Sequence, residues 1–469
     1  MSQNLSHTLD AASDDATIAA IATAVAPAAG SVAIVRLSGP RAEPIARQLF
    51  RAPGAQVWDS HRVLYGHVLD PASGERVDEA LLLLMRAPRS FTREDVVEFH
   101  CHGGLVAVAR VLELVLAAGA RRAEPGEFSQ RAFLHGRLDL TRAEAIGELI
   151  SARSRRAAQL AMAGLDGGLQ RRIGGLRERL LDQLAELEAR VDFEDDLPPL
   201  DGTAVVAELV AVRADLETLV VEARAAEPLR RGLRVAIVGR PNVGKSSLLN
   251  RLSRRERAIV TDLPGTTRDL LESEVVLQGV PLTLLDTAGI RETGDRVEAL
   301  GIARSREALA GADAVLLLVD LAEGWTVADQ HLREQVPPEA ALLVVGNKAD
   351  RAGLAPGPLA PDGPGAPAEV AISALTGAGE EALASALLAR CGAAGSEGLV
   401  LALNRRQADL AAAAAAALAG SLEAAAAGLP WDFWTIDLRT ATRHLGEITG
   451  EEITEAVLDR VFARFCIGK

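Results

Sequence analysis

From Thr17 to Leu37 and again from Arg62 to Phe99, short β-branched runs alternate with turn residues, and between Gly104 and Ala118 apolar residues recur at helical spacing. This pattern predicts an N-terminal α/β domain. Beyond about Leu140 the chain changes to long stretches rich in Ala, Leu, Arg and Glu, with apolar residues at helical intervals through Leu176 to Val191. At Arg234 the helical pattern stops. Val235, Ala236, Ile237 and Val238 read there as a buried strand and open an alternation of strands and helices that lasts to roughly Arg390. After Leu399 helical character returns, with an unbroken alanine stretch from Ala411 to Ala417 and amphipathic segments up to Phe465. The expected fold class is multidomain α/β plus α. It comprises an N-terminal α/β domain (1–137), a discontinuous helical domain (138–230 and 396–469) whose parts pack on each other, and an inserted doubly wound α/β domain (231–395). Ala352 to Ala368, rich in Pro, Gly and Ala and without periodicity, is expected to be a flexible loop inside that block.

A chain of 469 residues exceeds what one hydrophobic core organises, which agrees with two or three domains. Its 49% hydrophobic and 24% charged residues are ordinary for a soluble protein. Met1 to Asp14 is polar and lacks the basic flank and apolar stretch of a secretory signal. Uninterrupted apolar runs such as Leu81 to Met85 and Ala314 to Val319 are strand-length, so no transmembrane segment and no membrane partner are expected. The three cysteines, Cys101, Cys391 and Cys466, are scattered and imply no disulfide framework, which points to a reducing, cytoplasmic setting. A net charge of −14 disfavours broad nonspecific nucleic-acid binding, while leaving room for a local basic patch that holds a folded RNA.

The strongest chemical signal is G-R-P-N-V-G-K-S from Gly239 to Ser246, which follows an apolar strand and precedes the helical stretch Ser247 to Leu252. Strand, glycine-rich loop and helix occur in the order a phosphate-binding loop requires. Backbone N–H groups of Asn242, Val243 and Gly244 can wrap phosphates, the helix N-terminus at Ser246 and Ser247 adds a favourable dipole, Lys245 supplies a point charge and Ser246 a magnesium ligand. Asn347, Lys348 and Asp350 form N-K-x-D directly after the apolar run Ala341 to Val345 and resemble the guanine-specificity motif of the GTPase superfamily. An aspartate carboxylate accepts both the N1–H and the exocyclic amine of guanine, a donor pair that adenine lacks. Ser373, Ala374 and Leu375 resemble the companion S-A-L motif. Asp286, Thr287, Ala288 and Gly289 resemble the D-x-x-G element that reaches magnesium and the γ-phosphate, and Thr267 resembles the switch threonine that ligates magnesium. Ile290 stands where Ras-like enzymes carry a water-positioning glutamine. Glu298 is a candidate replacement, although as a residue on a charged stretch it also reads as a solvated surface glutamate.

Outside the nucleotide motifs, the chain resembles the tRNA modification GTPases of the MnmE (TrmE) family along nearly its whole length. The resemblance is carried by F-T-R-E-D-V-V-E-F-H-C-H-G-G from Phe91 to Gly104, P-G-E-F-S-Q-R-A-F-L from Pro125 to Leu134 and L-D-L-T-R-A-E-A-I from Leu138 to Ile146, together with L-G-E-I-T-G-E from Leu445 to Glu451 and the ending F-C-I-G-K. It implies an N-terminal domain that binds a tetrahydrofolate derivative (5-formyl- or methylene-tetrahydrofolate) and makes a homodimer, and an inserted Ras-like P-loop GTPase domain. It also implies a flavin-dependent partner, MnmG (GidA), in a heterotetramer that installs an aminomethyl-type group on carbon 5 of the wobble uridine of certain tRNAs. The family's potassium ligands fall on Asn242, Thr261, Leu263 and Thr266, within a loop continued by Asp262, Pro264 and Gly265, and its catalytic glutamate falls on Glu298. The folate positions fall on Arg36, Glu98, Arg137 and Lys469. Ala24 to Ser31 departs from the family, which usually carries an arginine where this chain has Ala29.

Cys466 beside Lys469 reads either as a nucleophile or as a packing residue. His100, Cys101 and His102 look like metal ligands, but strand alternation would turn neighbours to opposite faces, which argues against a metal site. Two other function classes compete. One is a GTPase molecular switch in ribosome assembly or trafficking; the other is a stand-alone folate-dependent methyltransferase with GTP as regulator.

Overall fold

The computed structural model describes residues 16–26, 30–193, 200–254, 272–286, 309, 311–361, 363, 367–393 and 398–468. The chain divides into two compact units, Met1–Gly147 with Thr449–Lys469, and Glu148–Ile448.

The first unit is built on a seven-stranded sheet in the order β3-β4-β5-β6-β2-β1-β7. The strands are β1 (Ile18–Ile21), β2 (Val32–Ser38), β3 (Phe50–Arg51), β4 (Arg62–Leu69), β5 (Arg76–Met85), β6 (Val96–His102) and β7 (Arg121–Arg122). All neighbours are antiparallel except β1 and β7. Period-two alternation sends Ala33, Val35 and Leu37 of β2, with Leu82 and Leu84 of β5 and Phe99 of β6, to one face. There they form a core with Ile45 and Leu49 of the helix Ala42–Leu49 and Val108 and Val111 of the helix Leu105–Ala117. The opposite face leaves Val32, Val63, Tyr65 and Leu81 exposed. The chain's end belongs to this unit. Leu458, Val461 and Phe462 of the helix Glu455–Phe462 bury against Leu140 and Ala143, and Ile467 pairs with Pro125.

In the second unit, a seven-stranded sheet runs β13-β14-β12-β11-β8-β10-β9. Its strands are β8 (Leu233–Gly239), β9 (Glu272–Leu277), β10 (Val280–Asp286), β11 (Ala314–Asp320), β12 (Ala341–Asn347), β13 (Gly357–Pro358) and β14 (Val370–Ala371). β10, β8, β11, β12 and β14 are parallel, with β9 and β13 antiparallel at the two edges. Every residue of β11 is buried, the continuous apolar pattern of a strand covered on both faces. The segment expected to be a loop, Ala352 to Ala368, contains β13, which pairs with β14. Two residues are too short to register as periodicity.

The rest of the unit is helical. Leu209, Val212 and Leu216 of the helix Gly202–Arg231 bury against Ala411, Ala414 and Leu418 of the helix Arg405–Ala426. Small alanines allow those backbones to approach closely. Asn404 and Gln407 close the start of Arg405–Ala426 with a capping box, and Asp201 caps Gly202–Arg231. By length and composition Arg405–Ala426 is the one described helix able to cross a membrane. Ala411, Ala414, Ala415 and Leu418 of that helix are buried in the bundle core.

Leu418→Ala removes a fully buried side chain from that core. We expect it to cost roughly 2–5 kcal/mol. Urea unfolding followed by far-UV circular dichroism would detect the shift, and an unchanged midpoint would mean that the packing described is wrong.

Candidate functional site

The loop Gly239 to Lys245 leaves the C-terminal end of β8 and runs into the helix Lys245–Leu252. Backbone conformation decides its residue types. Asn242 has φ +64° and Gly244 φ +105°. A Cβ on Gly244 would lie 2.2 Å from Asn347 Nδ2, so only glycine fits. Lys245 Nζ donates to the carbonyls of Gly239 at 2.7 Å and Arg240 at 2.8 Å, which folds the lysine back over its own loop. Val243 is buried, Asn242, Ser246 and Ser247 are exposed, and Asn242 makes no hydrogen bond among the described residues.

Asn347, at the end of β12, is buried. Its Nδ2 donates to Val243 O at 2.8 Å, and its Oδ1 accepts from Ala374 N at 2.9 Å. One side chain thus ties the phosphate-type loop to the Ser373–Leu375 loop. Lys348, at φ +62°, donates to Asp320 Oδ2 at 2.6 Å. Asp320 stands opposite Asn347 in the β11–β12 register. Burial raises the Asp320 carboxyl, but the Lys348 ammonium and the Ala322 N–H outweigh it and hold the group below the usual carboxylate range. The stabilisation from this pair is therefore fully present above about pH 4 and is lost as pH falls through the depressed value. Asp350 is exposed and makes no hydrogen bond or ion pair among the described residues, Ser373 is buried, and Leu375 is 80% exposed.

Two supporting groups were not foreseen from the sequence. Arg240 donates to the fully buried Asp329 at 2.9 Å and to Glu323 at 3.0 Å, and Asp329 in turn closes a capping box with Thr326. The signal for Asp320 was its position at the end of a wholly apolar strand, where a carboxylate must have a partner. Thr261, Asp262, Leu263, Pro264, Gly265, Thr266, Thr267, Thr287, Ala288, Gly289, Glu298 and Lys469 lie outside the described residues, as does the side chain of Asp286.

In the first unit Arg36 and Glu98 face each other across β2 and β6, with Arg36 Nε 2.7 Å from Glu98 Oε1. Arg36 also donates to Gly468 O at 3.3 Å, which brings the chain's end to the pair. Its guanidinium lies 5.7 Å from the Phe128 ring centroid, while that of Arg137 lies 5.5 Å from the Phe91 ring and donates to Ser90 O at 2.7 Å. Phe91 packs against the cluster that contains Phe128, so both cation-capped rings share one neighbourhood. Glu98, 8% exposed, also meets His100 Nε2 at 3.1 Å. It is therefore a buried acceptor, unlike the plain surface charge its residue type suggests. Behind this cluster, Arg131 is buried between Glu94 and Glu127. Burial raises the Glu127 carboxyl, but Arg121, the Glu124 N–H and Arg131 hold it below the ordinary range.

Among the described residues no group of His, Cys, Asp and Glu could hold a metal ion. Cys101 points into the core, whereas His100 and His102 turn the other way, to Glu98 and Asp78. Burial pushes the Cys101 thiol up to about 12 and the Cys391 thiol up to about 11. Cys466 is exposed, and its carbonyl accepts from Gly126 N at 3.4 Å.

A parallel sheet with a lysine-bearing glycine loop after one strand and N-K-x-D after another defines a P-loop GTPase fold within a larger helical and α/β chain. The family described as MnmE helical domain matches residues 140–466, and the one described as GTP-binding protein TrmE N-terminus matches residues 17–137. The tRNA modification GTPase MnmE of Synechococcus sp. (strain RCC307) is 71% identical over 460 residues, covering 98% of this chain and 99% of the relative. The one from Prochlorococcus marinus (strain MIT 9313) is 66% identical, covering 97% and 98%. The chain belongs to the MnmE family of tRNA modification GTPases, and it hydrolyses GTP in tRNA modification.

A thiol-specific reagent at about pH 8 is expected to label Cys466 rapidly and Cys101 only after denaturation, because the thiolate is the reacting species. Mass mapping of the labelled peptide distinguishes them; early labelling of Cys101 would contradict its burial.

Proposed function

We propose that this chain is a potassium-stimulated GTP hydrolase that works in the cytoplasm as a homodimer. With a flavin-dependent MnmG (GidA) partner in a heterotetramer, it adds an aminomethyl-type group to carbon 5 of the wobble uridine of certain tRNAs. A tetrahydrofolate derivative is the one-carbon donor. The observation that supports the GTP part most is the Asn347 side chain, bonded to the phosphate-type loop on one side and to the Ser373–Leu375 loop on the other.

In this reading Asn242 to Ser247 wrap the phosphates, Asp350 accepts from guanine, and Ser373 to Leu375 offer backbone groups to the base. The D-x-x-G residues Asp286 to Gly289 would reach magnesium and the γ-phosphate. Ser246 and Thr267 would hold magnesium, and Asn242, Thr261, Leu263 and Thr266 would hold potassium. Both cations, when bound, neutralise charge that develops on the transferring phosphoryl group. The exposed amide of Asn242, unengaged among the described residues, fits such a ligand. Glu298 would orient the attacking water, the task Ile290 cannot perform.

The N-terminal assignment rests on Arg36, Glu98 and Arg137, with Lys469 following Gly468. Two rings capped by guanidinium groups beside a buried carboxylate suit a flat, donor-edged pterin with an anionic tail. The homodimer is supported by the exposed apolar residues Val32, Val63, Tyr65 and Leu81 on one sheet face.

The deciding experiment is single-turnover GTP hydrolysis in potassium against sodium at matched ionic strength. Strong acceleration by potassium alone is expected; equal rates would leave GTP hydrolysis standing and move the molecular-switch reading forward. In the same assay Glu298→Ala should lower kcat by about 10²- to 10⁴-fold with GTP affinity nearly intact. Weakened binding with normal turnover would remove Glu298 from this role.

A further inference from the structure

The helix Lys245–Leu252 begins at the phosphate-type loop and carries Arg251 in its last turn. Arg251 Nε donates to Glu380 Oε1 at 2.7 Å, and its Nη2 donates to Thr376 O at 3.1 Å. Glu380, only 3% exposed, lies in the first turn of the helix Glu380–Arg390. Arg251 therefore grips the segment that follows Ser373, Ala374 and Leu375 at two points, one on the backbone and one on a buried carboxylate.

The segment is shaped around that grip. Ser373 N donates to Ala378 O at 2.9 Å and Gly377 N to Ser373 O at 2.8 Å, which winds residues 373–378 into a tight turn. Gly377 has φ +88°, and a Cβ there would lie 2.0 Å from Arg251 Nη2. The backbone conformation favours glycine, and a Cβ there would push the guanidinium out of its place. The other anchor of the loop is Asn347, which holds Ala374 N. Both anchors return to the phosphate-type element, Asn347 through Val243 O and Arg251 through the helix itself. Leu375 lies exposed between them.

We infer that Arg251 is a positioning residue for guanine recognition, fixing the Ser373–Leu375 backbone at a set distance from the phosphate loop. The inference rests on the reading that Asp350 and this loop meet the base. A rigid eight-residue helix of about 12 Å spans the two half-sites, so a nucleotide meets both already in register. The ordering cost is then met in folding and not on binding. Because the base is the same in substrate and product, Arg251 acts equally on GTP and GDP and leaves the phosphoryl-transfer step alone. Lysine cannot replace it fully, since one ammonium does not reproduce the two-point fork.

The test measures GTP hydrolysis and GDP binding on the full chain. Arg251→Ala is expected to raise KM for GTP and Kd for GDP by the same factor, roughly 5- to 10-fold, with kcat unchanged. Arg251→Lys should recover part of the loss. Gly377→Ala should weaken GDP similarly, and the double variant should lose less than the product of the single effects. If Arg251→Ala melts at a lower temperature, Glu380→Gln, which keeps an acceptor, should still raise both constants. Unchanged KM and Kd, or a fall in kcat alone, would overturn the inference. Asp350→Asn separates the two levels: if it too leaves guanine affinity intact, the base-site reading fails; if it destroys affinity while Arg251→Ala does not, only the role of Arg251 fails.

Discussion

The nucleotide half of the structure depends on one buried amide. Asn347 carries a donor and an acceptor on the same flat group, and each meets a backbone partner on a different loop. A charged side chain in that place would need a counter-ion, and an apolar one would strand two backbone groups away from water. The amide also dictates its surroundings. Gly244 has room for hydrogen only because Asn347 Nδ2 sits where its Cβ would be. The residue types of the phosphate-type loop are therefore set partly by a strand two places away in the sheet.

That arrangement follows from the order of the parallel strands. β8 lies between β10 and β11, and β12 lies beyond β11, so the loops after β8 and β12 leave the same edge of the sheet with one strand between them. Crevices at the carboxyl ends of parallel strands are where such sheets bind ligands. β11, between them, closes with Asp320, which is free to neutralise Lys348 because its register partner is Asn347. The lysine's ammonium is thereby fixed at the end of β11.

Elements that act by local chemistry were legible in the sequence. The glycine loop, N-K-x-D and S-A-L were readable because the chemistry demands fixed residue types at fixed spacing, and the strands β8, β11 and β12 were readable as continuous apolar runs. Partners supplied by tertiary packing were not. Nothing near Arg251 announces Glu380, and Arg240 occupies a position that the phosphate-loop pattern leaves open. The pairing of Arg36 with Glu98 required the β2–β6 register, and its proximity to Gly468 required knowing where the chain's end docks. The segment Pro125 to Leu134 was readable as a family signature without a reason. The structure supplies one, since Glu127 and Arg131 form a buried charge network that fixes the helix carrying Phe128.

The same packing logic bears on how an acidic protein handles RNA. Along the helical bundle, several arginines are already paired: Arg172 with Glu222, Arg179 with Glu208 and Asp215, Arg213 with Glu217, and Arg439 with Glu188. Exposed pairs of this kind contribute only about 0–1 kcal/mol to stability each. Their larger effect is to keep those cations from forming a free comb for phosphates. With a net charge of −14, a polyanion gains little from long-range attraction. A polyanion that approaches this chain therefore meets a surface whose overall charge opposes it, so any attraction has to be local.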